Sequence, residues 1–99
     1  MITQYPLDST AWVAISAAGQ GGSCWLDEDN DGAGGRVEVR LYHSDAGVPA
    51  LAKATEGKQV YKPMGNKDTL PFTADNASDV YYAICVNPGD TAIISSDVV

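Results

Sequence analysis

Val80-Tyr81-Tyr82-Ala83-Ile84-Cys85-Val86, then Asn87-Pro88-Gly89-Asp90, then Thr91-Ala92-Ile93-Ile94-Ser95, is the stretch on which the fold turns. Its first run is β-branched and aromatic, too short for an ordinary helix, and bounded by turn residues, so it reads as a strand. Pro88-Gly89 is the centre of a type II turn, where proline presets the first φ and glycine takes the positive one. The run from Thr91 to Ser95 is expected to pair back as the last strand.

The same grammar recurs upstream. Residues 11–16, 23–26, 35–42, 58–61 and 68–73 each read as a short strand. Gly19-Gln20-Gly21-Gly22, Met64-Gly65-Asn66-Lys67 and Asp75-Asn76-Ala77-Ser78 supply turns between them. Residues 35–42 show the cleanest alternation: Val37, Val39 and Leu41 on one face, Arg36, Glu38, Arg40 and Tyr42 on the other, as a half-buried antiparallel strand requires. Pro71 removes a ladder donor and marks its strand as an edge. Residues 48–54 are alanine-rich and form a single helical turn or a loop. About seven strands with regular turn signals predict an all-β fold, a single antiparallel β-sandwich or jelly-roll-like domain with little or no helix. The domain is expected over residues 10–99, preceded by an extended arm over residues 1–9. An immunoglobulin domain is not expected. Ala83 stands where that family has a tyrosine two residues before the second cysteine, and Trp25 adjoins Cys24, so its ring faces away from the sulfur.

Ninety-nine residues make one domain, and a hydrophobic fraction of 44% suits a globular core. A net charge of −7, with six scattered cations, supplies no basic stripe for nucleic acid and repels anionic membrane surfaces. No apolar run is long enough to span a bilayer. The start of the chain has no positive charge ahead of an apolar run, so no signal peptide is read there and folding in a cytosol is expected. Cys24 and Cys85 lie in apolar stretches and are expected to be reduced and buried, with a bridge between facing strands as the alternative.

One cluster has a nameable chemistry. Asp27-Glu28-Asp29-Asn30-Asp31-Gly32, followed by Glu38, has the spacing of a calcium loop. Asp27, Asp29 and Asp31 would point inward, Ala33 would lend its carbonyl, and Glu38 would close the site around a calcium ion. The flanks read as strands rather than the helices an EF-hand needs, and Glu38 shares a strand face with Arg36 and Arg40. The competing reading is a polar hairpin tip built from turn-forming residues. No catalytic set stands out. His43 is the sole histidine, and its neighbours Ser44 and Asp45 cannot converge with it as a triad, so it reads as a surface residue ending a strand. Gly19-Gln20-Gly21-Gly22 lacks the lysine and helix of a phosphate loop. Asn76-Ala77-Ser78 reads as a turn. The chain is read as no enzyme.

Residues 10–20, Cys24-Trp25-Leu26-Asp27, residues 39–44, residues 80–85 and Gly89-Asp90-Thr91-Ala92 together resemble small β-rich proteins of tailed-bacteriophage structural gene clusters. The resemblance implies a virion component assembled in the host cytoplasm. It would be a capsid decoration (cement) protein, or a small tail or fibre part, that binds the major capsid protein or another virion protein and is often trimeric. Ile2, Tyr5, Pro6 and Leu7 would then form an apolar arm that grips a neighbour. A calcium-dependent carbohydrate- or protein-binding module using residues 27–38 is the alternative from a different class.

Overall fold

The computed structural model describes residues 2–32, 37–60 and 69–99. Among them are eight strands: β1 (Ile2–Leu7), β2 (Val13–Ala14), β3 (Gly22–Asn30), β4 (Val39–Ser44), β5 (Lys58–Val60), β6 (Leu70–Phe72), β7 (Val80–Cys85) and β8 (Thr91–Val98). Residues Leu51–Glu56 form a 3-10 helix. The strands make two four-stranded antiparallel sheets, ordered β1-β8-β3-β6 and β2-β7-β4-β5. Only β4 and β5 are sequence neighbours that pair; the other connections pass from one sheet to the other. This is the jelly-roll order of interleaved Greek keys.

That order corrects two expectations. The first is the hairpin at residues 80–95. The turn forms as its sequence predicts: Gly89 has φ 86°, and the Asp90 N–H donates to the Asn87 carbonyl at 3.3 Å. The strands beside it do not pair, however. β7 belongs to the second sheet and β8 to the first. A type II turn has the wrong twist for a tight hairpin and splays its flanks, so here it serves as an arch between layers.

The second concerns the amino-terminal stretch, expected as a free arm holding Ile2, Tyr5, Pro6 and Leu7. It is instead strand β1, in register with β8 from Ile2 opposite Asp97 to Leu7 opposite Ala92. Leu7 is buried and Tyr5 packs against the core, while Ile2 and Pro6 are exposed. Pro6 cannot donate to a ladder, but an edge strand tolerates that. The eight strands are the seven expected ones plus this one.

Smaller differences have local causes. The strand expected over residues 11–16 narrows to Val13–Ala14. Ile15 N–H still donates to the Tyr81 carbonyl at 2.9 Å, but the Tyr81 N–H is taken at 3.0 Å by the Ser16 hydroxyl, a side chain competing with the ladder. Pro71 does lie on an edge strand, β6. Of the expected elements, residues 35–36, Tyr61, Asp68 and the turn at residues 64–67 lie outside the described residues.

The main core sits between the sheets. Leu7, Cys24, Leu26, Phe72, Ala92 and Ile94 of the first sheet meet Val39, Leu41, Val60, Tyr81, Ala83 and Cys85 of the second. Both thiols are free, and burial pushes each up to about 12, with the charges of Asp90 and Asp8 adding at Cys85. β7 is buried on both faces, because Tyr82 and Ile84 turn outward into a second cluster with Trp12 and Ala54. The Trp12 indole N–H donates to the Ala50 carbonyl at 3.1 Å, fastening the entry of the 3-10 helix over that cluster.

Gly22 lies between Phe72 of β6 and Val98 of β8. A Cβ there would overlap the Asp97 carbonyl oxygen and stand 2.9 Å from the Val98 Cα, with backbone on both counts. Gly22→Ala is therefore expected to destabilise the fold by about 1–3 kcal/mol, the usual range for overpacking. A urea melt of the variant checks this; an unchanged midpoint would show that β3 and β8 are not so closely apposed.

Candidate functional site

The acidic motif is drawn out along a strand instead of coiled around a point. β3 continues through Asn30, so Asp27 and Asp29 lie on the first sheet, while Glu38 precedes β4 of the second. The reason is pairing: Glu28, Asp29 and Asn30 take register with Ile93, Ala92 and Thr91 of β8. Asp31 follows the strand end and is half-buried. Ala33 lies outside the described residues. Glu38 is engaged by Arg40, whose Nε donates to it at 2.6 Å and whose Nη2 also pairs with it; Nη1 of the same arginine donates to the Gly57 carbonyl at 2.8 Å. Among the described residues, Asp27, Asp29, Asp31 and Glu38 do not converge as a calcium cage.

Asp27 has a structural task of its own. The β3–β8 register shifts between Leu26 and Glu28, so Asp27 is the extra residue of a β-bulge. Its carboxylate reaches across the ladder, accepting from Trp25 Nε1 at 3.0 Å, from Gln4 Nε2 at 2.8 Å and from the Ser95 hydroxyl. Three neighbouring strands, β3, β8 and β1, are thereby tied on their outer face. Burial disfavours the charge, but the hydrogen bonds from Ser95, Gln4 and Trp25 outweigh it and hold the carboxyl below its ordinary range.

The cluster of metal-ligating side chains that the fold does assemble is His43, Asp75 and Asp79. It escapes a reading along the chain because its members are 32 and 36 residues from the histidine (75 − 43 and 79 − 43). Register brings them together. His43 stands opposite Tyr81 and Ser44 opposite Val80, so Asp79 falls beside the end of β4. The preceding turn then folds back: Ser78 N–H donates to Asn76 Oδ1 at 2.9 Å, Asp79 N–H to the Asn76 carbonyl at 3.2 Å, and Asp75 N–H to Asp79 Oδ2 at 2.9 Å. His43 Nδ1 lies 3.0 Å and 2.8 Å from the two oxygens of Asp79 and 3.8 Å from Asp75 Oδ2. The imidazole stacks on Tyr81, centroids 5.0 Å apart, and the Tyr81 hydroxyl donates to the Thr73 carbonyl at 2.6 Å. Burial, with the charges of Asp79 and Asp75 adding to it, pushes the Tyr81 phenol up.

Asp79 is only 2% exposed, whereas the His43 and Asp75 side chains reach solvent. His43 and Tyr81 also line a groove of about 520 Å³, walled in addition by Tyr42, Lys58, Phe72 and Thr73. A half-exposed imidazole is thus fixed between a buried carboxylate, an exposed one and an open groove.

Removing the bulge carboxylate tests its structural role. Asp27→Ala is expected to cost about 1–2 kcal/mol, since hydrogen bonds to a charged group are lost, and to lower the melting point by about 5–12 °C. The Asp27 pKa is depressed on folding, so its contribution is present above the unfolded-state pKa and is lost as pH falls through the folded value. Thermal melts across the acid range should show a shallower loss of stability for Asp27→Asn than for the wild type. Parallel pH profiles would remove the carboxylate from the account.

Comparison with family models, curated proteins and solved structures finds no match to this chain.

Proposed function

We propose that this chain is a non-enzymatic structural protein of a virion, which binds a capsid surface in several copies and stabilises the shell by joining neighbours. The observation that supports an assembly role is the free edge of β1. Among the described residues, the edge strands β2, β5 and β6 have two, three and three residues and β1 has six. Proteins protect edges by keeping them short or by placing charge and proline on them. β1 has Pro6 near its end but no charged residue, in a chain where 19% of residues are charged. Its outer row of backbone donors and acceptors has no partner among the described residues, and Ile2 beside it is 57% exposed.

Such an edge is a template for strand addition from another chain. The jelly roll is an architecture that capsid and lectin domains use, which supports the reading by analogy of fold. The resemblance of residues 10–20, 39–44 and 80–85 to phage structural proteins supplies the virion context. A protein that binds the assembled lattice in preference to its free subunits stabilises the particle by mass action.

Thr3→Lys places a charge on the β1 edge at an exposed position. It is expected to leave folding stability within about 0.5 kcal/mol of the wild type. It should also convert an oligomer to a monomer in light scattering and reduce co-sedimentation with empty capsid shells at least tenfold. A wild type that is monomeric at high concentration and does not co-sediment with shells would defeat the proposal.

A further inference from the structure

We propose that His43, Asp75 and Asp79 form a binding site for a single zinc-class divalent ion, open on one side to solvent. The site is independent of the β1 edge.

The donor set comes from two separated parts of the chain, β4 and the turn before β7, and it is mixed: one imidazole and two carboxylates. Their ligand atoms all lie within 4.8 Å of one another. Donors of a tetrahedral zinc ion at 2.0–2.1 Å stand about 3.3 Å apart. Nδ1 of His43 is 2.8 and 3.0 Å from the oxygens of Asp79 and 3.8 Å from Asp75 Oδ2, so the distances bracket that spacing. Sub-ångström movement of side chains would open the set around an ion. Asp75 has that freedom, its side chain being 73% exposed.

The supporting groups are those a metal site needs. The Asp75 N–H bonded to Asp79 Oδ2 fixes one carboxylate, and the stack on Tyr81 fixes the ring, so both ligands are oriented in advance. Charge argues the same way. A carboxylate that is 2% exposed faces a second carboxylate, and His43 is the single ionisable cation among its described contacts. Buried charge is costly unless well compensated, and a dication beside two carboxylates compensates fully. The imidazole selects the metal class, since calcium and magnesium prefer all-oxygen cages. Three protein ligands leave a fourth position for water or an anion. The His43 and Asp75 side chains are 43% and 73% exposed, so that position has access to solvent.

Zinc chloride titrated calorimetrically into the full chain should show one equivalent bound with micromolar or tighter Kd. His43→Ala and Asp75→Ala should each weaken binding at least tenfold; the Asp75 side chain is 73% exposed, so Asp75→Ala should melt within a few degrees of the metal-free wild type, whereas His43→Ala strips buried Asp79 of its partner and is expected to melt lower. The sole histidine of the chain gives a direct readout, because zinc should shift one set of imidazole resonances in the NMR spectrum. Cobalt should give visible bands without thiolate charge transfer, which excludes Cys24 and Cys85 as the ligands. Absence of zinc binding, zinc binding undiminished in His43→Ala, or a response to calcium but not to zinc would overturn the proposal.

Discussion

The rest of the structure depends on β7 being covered on both faces. Tyr81, Ala83 and Cys85 fill the space between the sheets, while Tyr82 and Ile84 lie under Trp12 and the 3-10 helix. A strand clad on both sides cannot slip by one residue without exchanging two apolar faces that differ in shape, so its register is pinned. Through that register β7 sets the position of β4, and through the arch at Pro88-Gly89 it delivers the chain to β8. β8 in turn is the strand on which both β1 and β3 pair.

Much of the fold was legible from alternation. Val37, Val39 and Leu41 are buried as their spacing predicts, and Cys24 points inward while Trp25 points out to Asp27. The pairing of strands was less legible. Hydrophobic pattern says that a segment is extended, but the sheet it joins is decided by long-range packing and by the twist of the connecting turn. Pro88-Gly89 was readable as a type II turn, and the twist of that turn already argues against a hairpin. β1 escaped for a related reason. Ile2, Tyr5, Pro6 and Leu7 show no clear alternation that assigns them to a sheet, and only the register with β8 places them in one.

The two clusters of ionisable groups illustrate opposite errors of reading. Asp27, Asp29 and Asp31 are close in sequence, and their spacing invites a cage, yet β-pairing extends that segment along β8 and a bulge turns Asp27 into a brace across three strands. His43 looked unremarkable because its partners are remote in the chain. Only the β4–β7 register, with Tyr81 opposite His43, brings the turn at Asp75 and Asp79 to the ring. A signal was present in Asp79, a carboxylate adjoining an apolar strand, which has to find a partner if it is buried.

The two sulfur atoms give the fold a built-in record of its own opening. A thiol whose pKa is near 12 is almost wholly protonated at neutral pH and inert to alkylating agents while it stays enclosed. Cys24 belongs to β3 and Cys85 to β7, one on each sheet. The rate at which each is alkylated therefore measures how often its own layer becomes accessible. Equal rates describe a sandwich that parts as one cooperative unit; unequal rates identify the layer that yields first. No label or probe has to be engineered into the chain, since the reporters already occupy its interior.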